Sequence, residues 1–298
     1  MLQLVEHIYC LACSVSAKIS VIMAAYHAEE TIQAAIQSLQ DQTVDADFEV
    51  VVVDDCSTDR TLDRVREIAG PRVRILPLAA NVGRAEARNI AIRQAAGSII
   101  VVADADDVSL PGRLQFHLDE LTRKPKSVVS GGQFCDIVND VRLSSSNLEF
   151  PETTAAVDRF FGSGMMGIAH PSSAYLKSWV DDIGGYDATL EWCEDYDLFA
   201  RGWSHGTFLA SERIVVAYRR RTKVTSWAYW WENQRYLAAI NERLASGLPR
   251  TRAQTVEIDA YLLRNSRSVF RAFELARYVT YRAQLALKPA PTSVVPTE

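Results

Sequence analysis

Over residues 18–125, short apolar runs alternate with amphipathic segments. The runs 18–26, 47–55, 72–78 and 98–107 are almost continuously apolar, which is typical of parallel strands buried on both faces. Each run precedes a segment whose apolar residues recur at helical spacing, as Ile32, Ile36 and Leu39 do in the first. This repeated strand–helix order predicts an α/β fold, with a mainly parallel sheet and helices on both of its faces.

The rhythm changes after Pro125. Residues 127–138 are expected to form a strand or part of a hairpin, 141–154 a polar loop, and 171–180 a strand leading into a turn at Gly184 and Gly185. A helix over 194–206, a strand over 207–221 and a helical pattern from 227 follow. We therefore expect an N-terminal extension (1–17), one domain over 18–226 with halves 18–125 and 126–226, and a C-terminal helical region (227–298).

Composition narrows the function without defining it. The 298 residues carry a formal net charge of −5, which argues against a nucleic-acid partner. No apolar run reaches the length of a transmembrane helix, and the first residues lack the basic start of a signal peptide. Five cysteines are an odd number without the spacing of a disulfide framework, so we expect a cytoplasmic protein.

Three of the predicted strands end in residues that carry chemistry. The first ends at Ala24 and Tyr26, the second at Asp54 and Asp55, and the fourth at residues 104–107, which we call the acid turn. Carboxyl ends of parallel strands share one edge of the sheet, where open α/β sheets bind ligands. Helix capping accounts for one aspartate per turn, but not for four or five carboxylates on one edge.

The acid turn contains an Asp-x-Asp pair, Asp104 and Asp106. This spacing can bring carboxylate oxygens around one hard divalent ion, and Mg²⁺ and Mn²⁺ usually share such ligands with substrate phosphates. Like charges this close repel one another. We expect the repulsion to be relieved only when an ion and a diphosphate bind, and we expect Asp107 to support the turn into the next helix.

Five segments, in order and at plausible spacing, resemble the motifs of family 2 glycosyltransferases with the GT-A fold. They are ISVIMAAYHAEETI, FEVVVVDDCSTDRT, NVGRAEARNIAI, ADADDVSLPGRL and GGYDATLEWCEDYDLFAR, and the resemblance covers roughly residues 18–226. It implies a Rossmann-like sheet and an inverting transfer of a sugar from a nucleotide diphosphate sugar. It also implies a divalent metal, Mn²⁺ or Mg²⁺, as cofactor.

The same resemblance assigns a donor site. Ala24 and Tyr26 match the nucleotide-contacting end of the first strand, and Arg84 matches a residue that lines the nucleotide pocket. Asp55 matches an acid that reads a pyrimidine base, with Asp54 beside it as support. This match favours UDP- or dTDP-sugars as donors.

The resemblance also assigns the metal and the acceptor side. Asp104 matches an acid near the ribose and the metal, and Asp106 matches the metal-binding acid. Asp195 matches the general base, with Glu194 as its neighbour at the acceptor site; an acid cluster favoured by the helix dipole is the alternative. Trp192 is a candidate for stacking on an acceptor sugar, with ordinary core packing as the alternative.

Two positions depart from the family pattern. Cys56 lies where the family usually has glycine, so that turn must accept a side chain. Arg221 lies where the family often has histidine, and an arginine cannot ligate a metal but can pair with phosphate. We therefore expect Arg219, Arg221 or Lys223 to stabilise the leaving diphosphate, unless this is simply a solvated basic strand end.

Two other functions remain open. A nucleotidyltransferase also uses a parallel sheet and acidic metal ligands, but usually has a glycine-rich phosphate loop that is missing after the first strand. The second alternative function is that of a catalytically inactive protein that binds nucleotide sugars. The presence of Asp104, Asp106 and Asp195 argues against it.

The acceptor is expected to be a saccharide or a lipid-linked molecule. One face of the C-terminal helical region is basic, through Arg264, Arg267, Arg271 and Arg282. Such a face suits peripheral contact with the inner face of a membrane. Packing of the helix on its own domain is the alternative.

Overall fold

The computed structural model describes residues 18–124, 126–138, 141–142, 150–162, 166–219 and 240. The predictions for the N-terminal extension, for Arg221 and Lys223 and for the basic C-terminal face lie outside these residues. No helix in the described part of the chain is both long and apolar enough to cross a membrane.

The first half contains the predicted parallel sheet. Its strands are β1 (Ile19–Ala25), β2 (Phe48–Asp54), β3 (Val73–Pro77) and β4 (Ile99–Asp104), in the spatial order β3-β2-β1-β4. All three pairings among them are parallel. The prediction of a parallel sheet in this half is therefore confirmed.

Helices cover both faces of this sheet, as predicted. They are α1 (Ile32–Gln40), α2 (Thr61–Ile68), α3 (Arg84–Gln94) and α4 (Arg113–Arg123). Helices α1, α2 and α4 pack with Val21 and Met23 of β1 in one apolar cluster. Helix α3 packs with the intervening Ile22 in another, because successive residues of a strand point to opposite faces.

The second half continues the same sheet with mixed pairing. It contains β6 (Ser127–Val138), β7 (Val141–Arg142), α5 (Thr154–Gly162), β8 (Ser173–Leu176), α6 (Lys177–Asp182), α7 (Glu194–Gly202) and β9 (Thr207–Arg219). The short strand β5 (Val108–Ser109), at the end of the first half, pairs with β9. The order continues as β4-β8-β6-β9-β5, with β7 on β6. β8 is antiparallel to both β4 and β6, whereas β6 and β9 are parallel.

Two predictions in the second half were wrong in detail. The segment 171–180 is a strand only to Leu176 and then turns into α6. The predicted polar loop, 141–154, begins with the two residues of β7 and ends at the first residue of α5. The pattern missed α5 because only two of its described side chains, Val157 and Phe161, are fully buried in the core. Both differences reflect elements too short to show a clear period.

Register brings the predicted strand ends to one level. Ala25 pairs with Asp54 on one side of β1, and Ala24 pairs with Asp104 on the other. β4 ends at Asp104, and the rest of the acid turn leads into the two-residue β5. The aspartates at the ends of β2 and β4 therefore flank the end of β1 at the same edge of the sheet.

Candidate active site

Asp55 holds the loop that leads into α3. Its Oδ1 accepts the N–H of Val82 at 2.7 Å, and its Oδ2 accepts the N–H of Gly83 at 3.0 Å. Gly83 has φ of 85°, a conformation that favours glycine, and α3 begins at the next residue. Both carboxylate oxygens of this buried residue thus serve the main chain, although each oxygen can accept a second hydrogen bond.

Asp54 and Tyr26 are two further residues of the donor site predicted from the sequence. Asp54 is buried, and its Oδ1 finds no hydrogen-bond partner among the described residues. Tyr26 is 50% exposed and stacks on the His27 ring with the centroids 3.9 Å apart. An open aromatic face therefore stands at the ligand edge of β1, next to the partly buried Ala24.

The turn after Asp55 accepts a side chain, as its sequence required. Cys56 has φ of 62°, in the left-handed region. A side chain there costs roughly 1 to 2 kcal/mol relative to glycine, because its Cβ crowds the carbonyl oxygen. The departure from the family pattern at Cys56 is therefore a position of local backbone strain.

Asp107 connects the acid turn to the end of β9. Its Oδ1 accepts the Arg219 N–H at 2.8 Å, and the Nε of Arg219 donates to the Asp106 carbonyl at 3.1 Å. Burial raises the pKa of Asp107 well above its usual value, and the charges of Asp104 and Asp106 add to the rise. The end of β9 is thus fastened to the acid turn through Arg219.

Arg113 places a buried positive charge beside this turn. Its guanidinium donates to the carbonyls of Val102 and Pro171 and to the Ser109 hydroxyl. Burial lowers its pKa to about 10, so it stays protonated at neutral pH while Asp107 and Asp104 favour its charge. Through the carbonyls of Val102 and Pro171, Arg113 connects β4 to the segment that precedes β8 in the second half.

Arg88, which the sequence analysis did not single out, bridges two of the predicted acids. Its Nη2 lies 2.9 Å from Asp104 Oδ1, and its Nη1 lies 2.7 Å from Glu194 Oε1. The expectation that only an ion and a diphosphate relieve the repulsion among the acids was therefore wrong, because Arg88 and Arg113 already do so in part. Arg88 follows Arg84 by four residues on α3, and this spacing was the available signal.

Glu194 and Asp195 open α7 but differ in environment. Glu194 is 4% exposed and pairs with Arg88, while the Nε of Arg84 lies 3.6 Å from the same oxygen. Asp195 is partly exposed, and its Oδ1 accepts the N–H of Tyr196 at 2.8 Å. Loss of solvation, followed by the Glu194 charge, raises the pKa of Asp195 to about 6. A carboxylate in this range suits a general base near neutral pH.

Arg84 and Trp192 meet between the two halves. The Arg84 guanidinium lies 5.1 Å from the centre of the Trp192 ring, within cation–π range. Arg84 Nη2 also donates to the Glu191 carbonyl at 3.4 Å. The structure therefore brings Arg84, predicted for the donor site, into contact with Trp192, predicted for the acceptor site. Within the described part of the chain, Arg219, predicted to bind the diphosphate, contacts the acid turn.

The segment before α7 is docked on α3 by main-chain contacts that the sequence did not reveal. Asn89 Nδ2 donates to the Tyr186 carbonyl at 2.9 Å, and Asn89 Oδ1 accepts the Tyr186 N–H at 2.9 Å. The Tyr186 hydroxyl hydrogen-bonds His170 Nε2 at 2.8 Å and the Tyr175 hydroxyl at 3.0 Å. Burial lowers the pKa of His170 to about 3, so this buried chain is neutral.

The carboxylates present fit a metal ion that is shared with a substrate. No group of three or more His, Cys, Asp or Glu side chains within the described residues forms a metal cluster. Asp104 and Asp106 are partly exposed, whereas Asp107 is buried and hydrogen-bonded. Two carboxylates completed by phosphate oxygens are a usual environment for Mg²⁺, so this donor set suits an ion that arrives with a diphosphate.

Together, the sheet and the acids gathered at one edge of it define an α/β fold with a candidate ligand site. The family description "Glycosyl transferase family 2" matches residues 20–184, more than half of the chain, and the chain belongs to this family. The resemblance inferred from the five motifs is thereby confirmed.

Individual relatives agree with this assignment. The chain is 34% identical over 122 residues to UDP-Glc:alpha-D-GlcNAc-diphosphoundecaprenol beta-1,3-glucosyltransferase WfgD of Escherichia coli, covering 41% of this chain and 47% of that protein. It is 44% identical over 208 residues to the succinoglycan biosynthesis protein ExoO of Rhizobium meliloti, covering 65% of this chain and 58% of that protein. The chain thus spans about half the length of these curated relatives.

A solved structure shows the same fold. The crystal structure of residues 1–349 of Staphylococcus aureus TarS in complex with UDP-GlcNAc superposes with a TM-score of 0.64 at 23% identity, over 90% of this chain and 78% of that one. The GT-A fold predicted from the sequence is therefore confirmed.

Proposed function

We propose that the protein is an inverting, divalent-metal-dependent glycosyltransferase that moves a sugar from a UDP- or dTDP-sugar to an acceptor hydroxyl. The observation that carries the proposal is the ion-pair chain from Asp104 through Arg88 to Glu194, the neighbour of Asp195. It joins the acid turn to the residue that directly precedes Asp195, and the Asp195 pKa of about 6 suits proton removal.

The donor is proposed to lie along the ends of β1, β2 and β4. Tyr26 offers an exposed ring, and Asp55 orders the loop that carries Arg84. Ala24 and Asp54 would form the floor of the donor site. Asp104 would face the ribose, and Asp106 would hold the metal. UDP-GlcNAc in the TarS complex and UDP-Glc in the name of WfgD support a uridine nucleotide as the first choice.

Transfer with inversion needs one base and a stabilised leaving group. Asp195 would take the proton of the acceptor hydroxyl as its oxygen attacks the anomeric carbon, and the bond to the nucleotide diphosphate breaks in the same step. Arg219, with Arg221 further along the chain, would pair with the departing diphosphate. A divalent ion held by Asp106 and Asp104 supplies further charge neutralisation there when it is bound.

The acceptor is proposed to be a saccharide or a lipid-linked saccharide of polysaccharide or glycoconjugate synthesis. The names of WfgD, which acts on a diphosphoundecaprenol, and of ExoO, which acts in succinoglycan biosynthesis, support this choice. Glu194 would shape the acceptor site through Asp195, and Trp192 would stack on an acceptor sugar. A peripheral position at the cytoplasmic face of a membrane, through the basic C-terminal residues, belongs to the same proposal.

A screen of nucleotide sugars tests this function. We expect UDP or dTDP with Mn²⁺ to raise the melting temperature, and the matching sugar to be hydrolysed slowly in the absence of acceptor. Pyrophosphate release from a nucleoside triphosphate and a sugar phosphate would indicate a nucleotidyltransferase instead. Binding without any turnover, with or without saccharide acceptors, would indicate an inactive binding protein, and no stabilisation by any nucleotide would refute the proposal.

A further inference from the structure

Arg88 is placed between two acids that belong to different halves of the site. Asp104 ends β4 in the first half, and Glu194 begins α7 in the second. Arg88 uses a separate terminal nitrogen for each, at 2.9 Å and 2.7 Å, and its side chain is only 9% exposed. Both bonds are within the distance range of strong charge-assisted hydrogen bonds.

We propose that Arg88 is a positioning residue that fixes Asp104 and the Glu194–Asp195 pair relative to each other, so that the donor and acceptor sides of the reaction are aligned through one guanidinium. This inference rests on the proposed function. A planar guanidinium suits the task because its donors have a fixed geometry, whereas an ammonium is a single mobile point of charge.

The surroundings of Arg88 restrict its movement. Its guanidinium lies 5.7 Å from the centre of the Tyr186 ring, and the main chain of Tyr186 is held on α3 by Asn89, the residue after Arg88. The second arginine on this face, Arg84, is 48% exposed and reaches Glu194 only at 3.6 Å. Arg88 is therefore the more firmly positioned of the two arginines. We expect that Arg84 cannot take over its contacts with Asp104 and Glu194.

The charge of Arg88 also acts on the base. Glu194 and the Cys193 thiol lie next to Asp195 on its own chain segment, and Arg88 and Arg84 face it from α3. The two arginines lower the pKa of Asp195, against the rise caused by lost solvation and Glu194. Removal of the Arg88 charge should therefore raise the pKa of Asp195 further.

The test compares Arg88→Gln and Arg88→Lys with Arg93→Gln. Arg93 lies on the same helix in an exposed ion pair with Glu86 and serves as the matched control. We expect Arg88→Gln to weaken UDP–Mn²⁺ binding about tenfold in calorimetry, as for other residues that orient a ligand-binding carboxylate. We expect its kcat to fall about 100-fold, since small misplacements of reacting groups have effects of that size.

Two readouts separate positioning from a merely structural role. The acid limb of the kcat–pH profile should move to higher pH in Arg88→Gln and return to the wild-type position in Arg88→Lys, which keeps the charge. The kcat of Arg88→Lys should nevertheless stay at least about tenfold below wild type, because one ammonium does not orient both carboxylates. The inference would be overturned if Arg88→Gln and Arg88→Lys both had the same UDP affinity and the same acid limb of the pH profile as Arg93→Gln.

A further measurement needs no turnover. NMR titration of the Asp195 carboxyl carbon, assigned with Asp195→Asn, should give a higher pKa in Arg88→Gln than in the wild type, and an equal pKa would count against the proposal. If Arg88→Gln does not fold, Arg88→Gln combined with Glu194→Gln removes both buried charges, and its UDP affinity should still be reduced. A wild-type protein that turns over no nucleotide sugar would defeat the proposed function, whereas an active wild type with unshifted Arg88 variants defeats only this inference.

Discussion

The two halves of the sheet are built differently, although they form one layer. In the first half, β1 pairs with β2 and β4 in unbroken parallel register. In the second half, the pairing of β6 with β9 contains three register shifts, and β8 runs antiparallel to its neighbours. The proposed donor edge is therefore set by regular strand pairing, whereas the proposed acceptor side depends on long-range contacts with the first half.

Three of these long-range contacts lie at the candidate site. Arg88 pairs with Glu194, Asn89 clamps the main chain of Tyr186, and Arg219 is fastened to the acid turn. If this contrast is right, substitution of Asp195 at the start of α7 should damage chemistry without loss of donor binding. Substitutions in the acid turn should act on donor binding first.

The largest effect is expected for Asp195→Asn. Loss of the base should lower the transfer rate about 100- to 10,000-fold, the usual contribution of general base catalysis. UDP affinity should remain at the wild-type value, because no described contact of Asp195 reaches the donor edge. Radiolabelled sugar transfer and calorimetry measure the two effects, with the exposed Asp182→Asn as control; near-normal transfer would remove Asp195 from the role of base.

The converse result is expected for Asp106→Ala. Loss of a metal-binding carboxylate should weaken UDP binding in the presence of Mn²⁺ by about 10- to 100-fold. Binding of UDP without metal should change little. The control is Asp47→Ala, an exposed residue of the same half, and an unchanged Mn²⁺ titration for Asp106→Ala would contradict the metal assignment.

Asn89→Ala should weaken the docking of the two halves. It removes both hydrogen bonds to the Tyr186 main chain and leaves part-buried polar groups unpaired. We expect a loss of about 1 to 3 kcal/mol in the free energy of unfolding, measured with urea. Gln33→Ala, which loses an exposed hydrogen bond to Glu67 and a long one of 3.5 Å to the Arg64 carbonyl, should cost much less. Equal losses would show that Asn89 has no special docking role.

The pH dependence of transfer should report the environment of Asp195. Its pKa is raised to about 6, so the carboxylate becomes protonated, and loses its capacity as a base, as the pH falls below that value. The rate should then decrease about tenfold per pH unit on the acid side. An acid limb near pH 4 would mean that Asp195 is solvated in the working enzyme or that another group is the base.

The smallest effect, a change in the free energy of unfolding, is expected for Cys56→Gly in the first half of the sheet. Glycine relieves the strain of the left-handed conformation at φ of 62°, but it also increases the entropy of the unfolded chain. The net gain in the free energy of unfolding should be no more than about 1 kcal/mol. Cys56→Ala keeps a Cβ and should give no such gain, so equal melting temperatures for the two variants would argue against strain at this turn.

The same contrast explains what the sequence could predict. The strands and helices of the first half follow from apolar periods within single segments, and the acids at the strand ends follow from their position. Arg88 was missed because its partner Glu194 lies 106 residues further along the chain, and no local pattern connects them. Helix α5 was missed because a two-residue apolar face resembles a loop.

The site residues fall between these cases. Asp195 and Glu194 could be singled out as an acid pair at a helix start, but their different environments depend on α3, which the local sequence does not show. Likewise, the aspartate, asparagine and arginine contacts that order segments around the site are directed at main-chain atoms. Such contacts leave no complementary side chain in the sequence to be recognised.

The anchor formed by Asp55 illustrates what such contacts permit during divergence. Its carboxylate grips the main-chain N–H groups of Val82 and Gly83, so the grip does not depend on which side chain residue 82 carries. The Val82 side chain is 42% exposed beside the ligand edge. We therefore expect the loop to tolerate a change of the side chain at position 82 but not the loss of the carboxylate at position 55, so that the surface beside the ligand edge can diversify on a constant main chain.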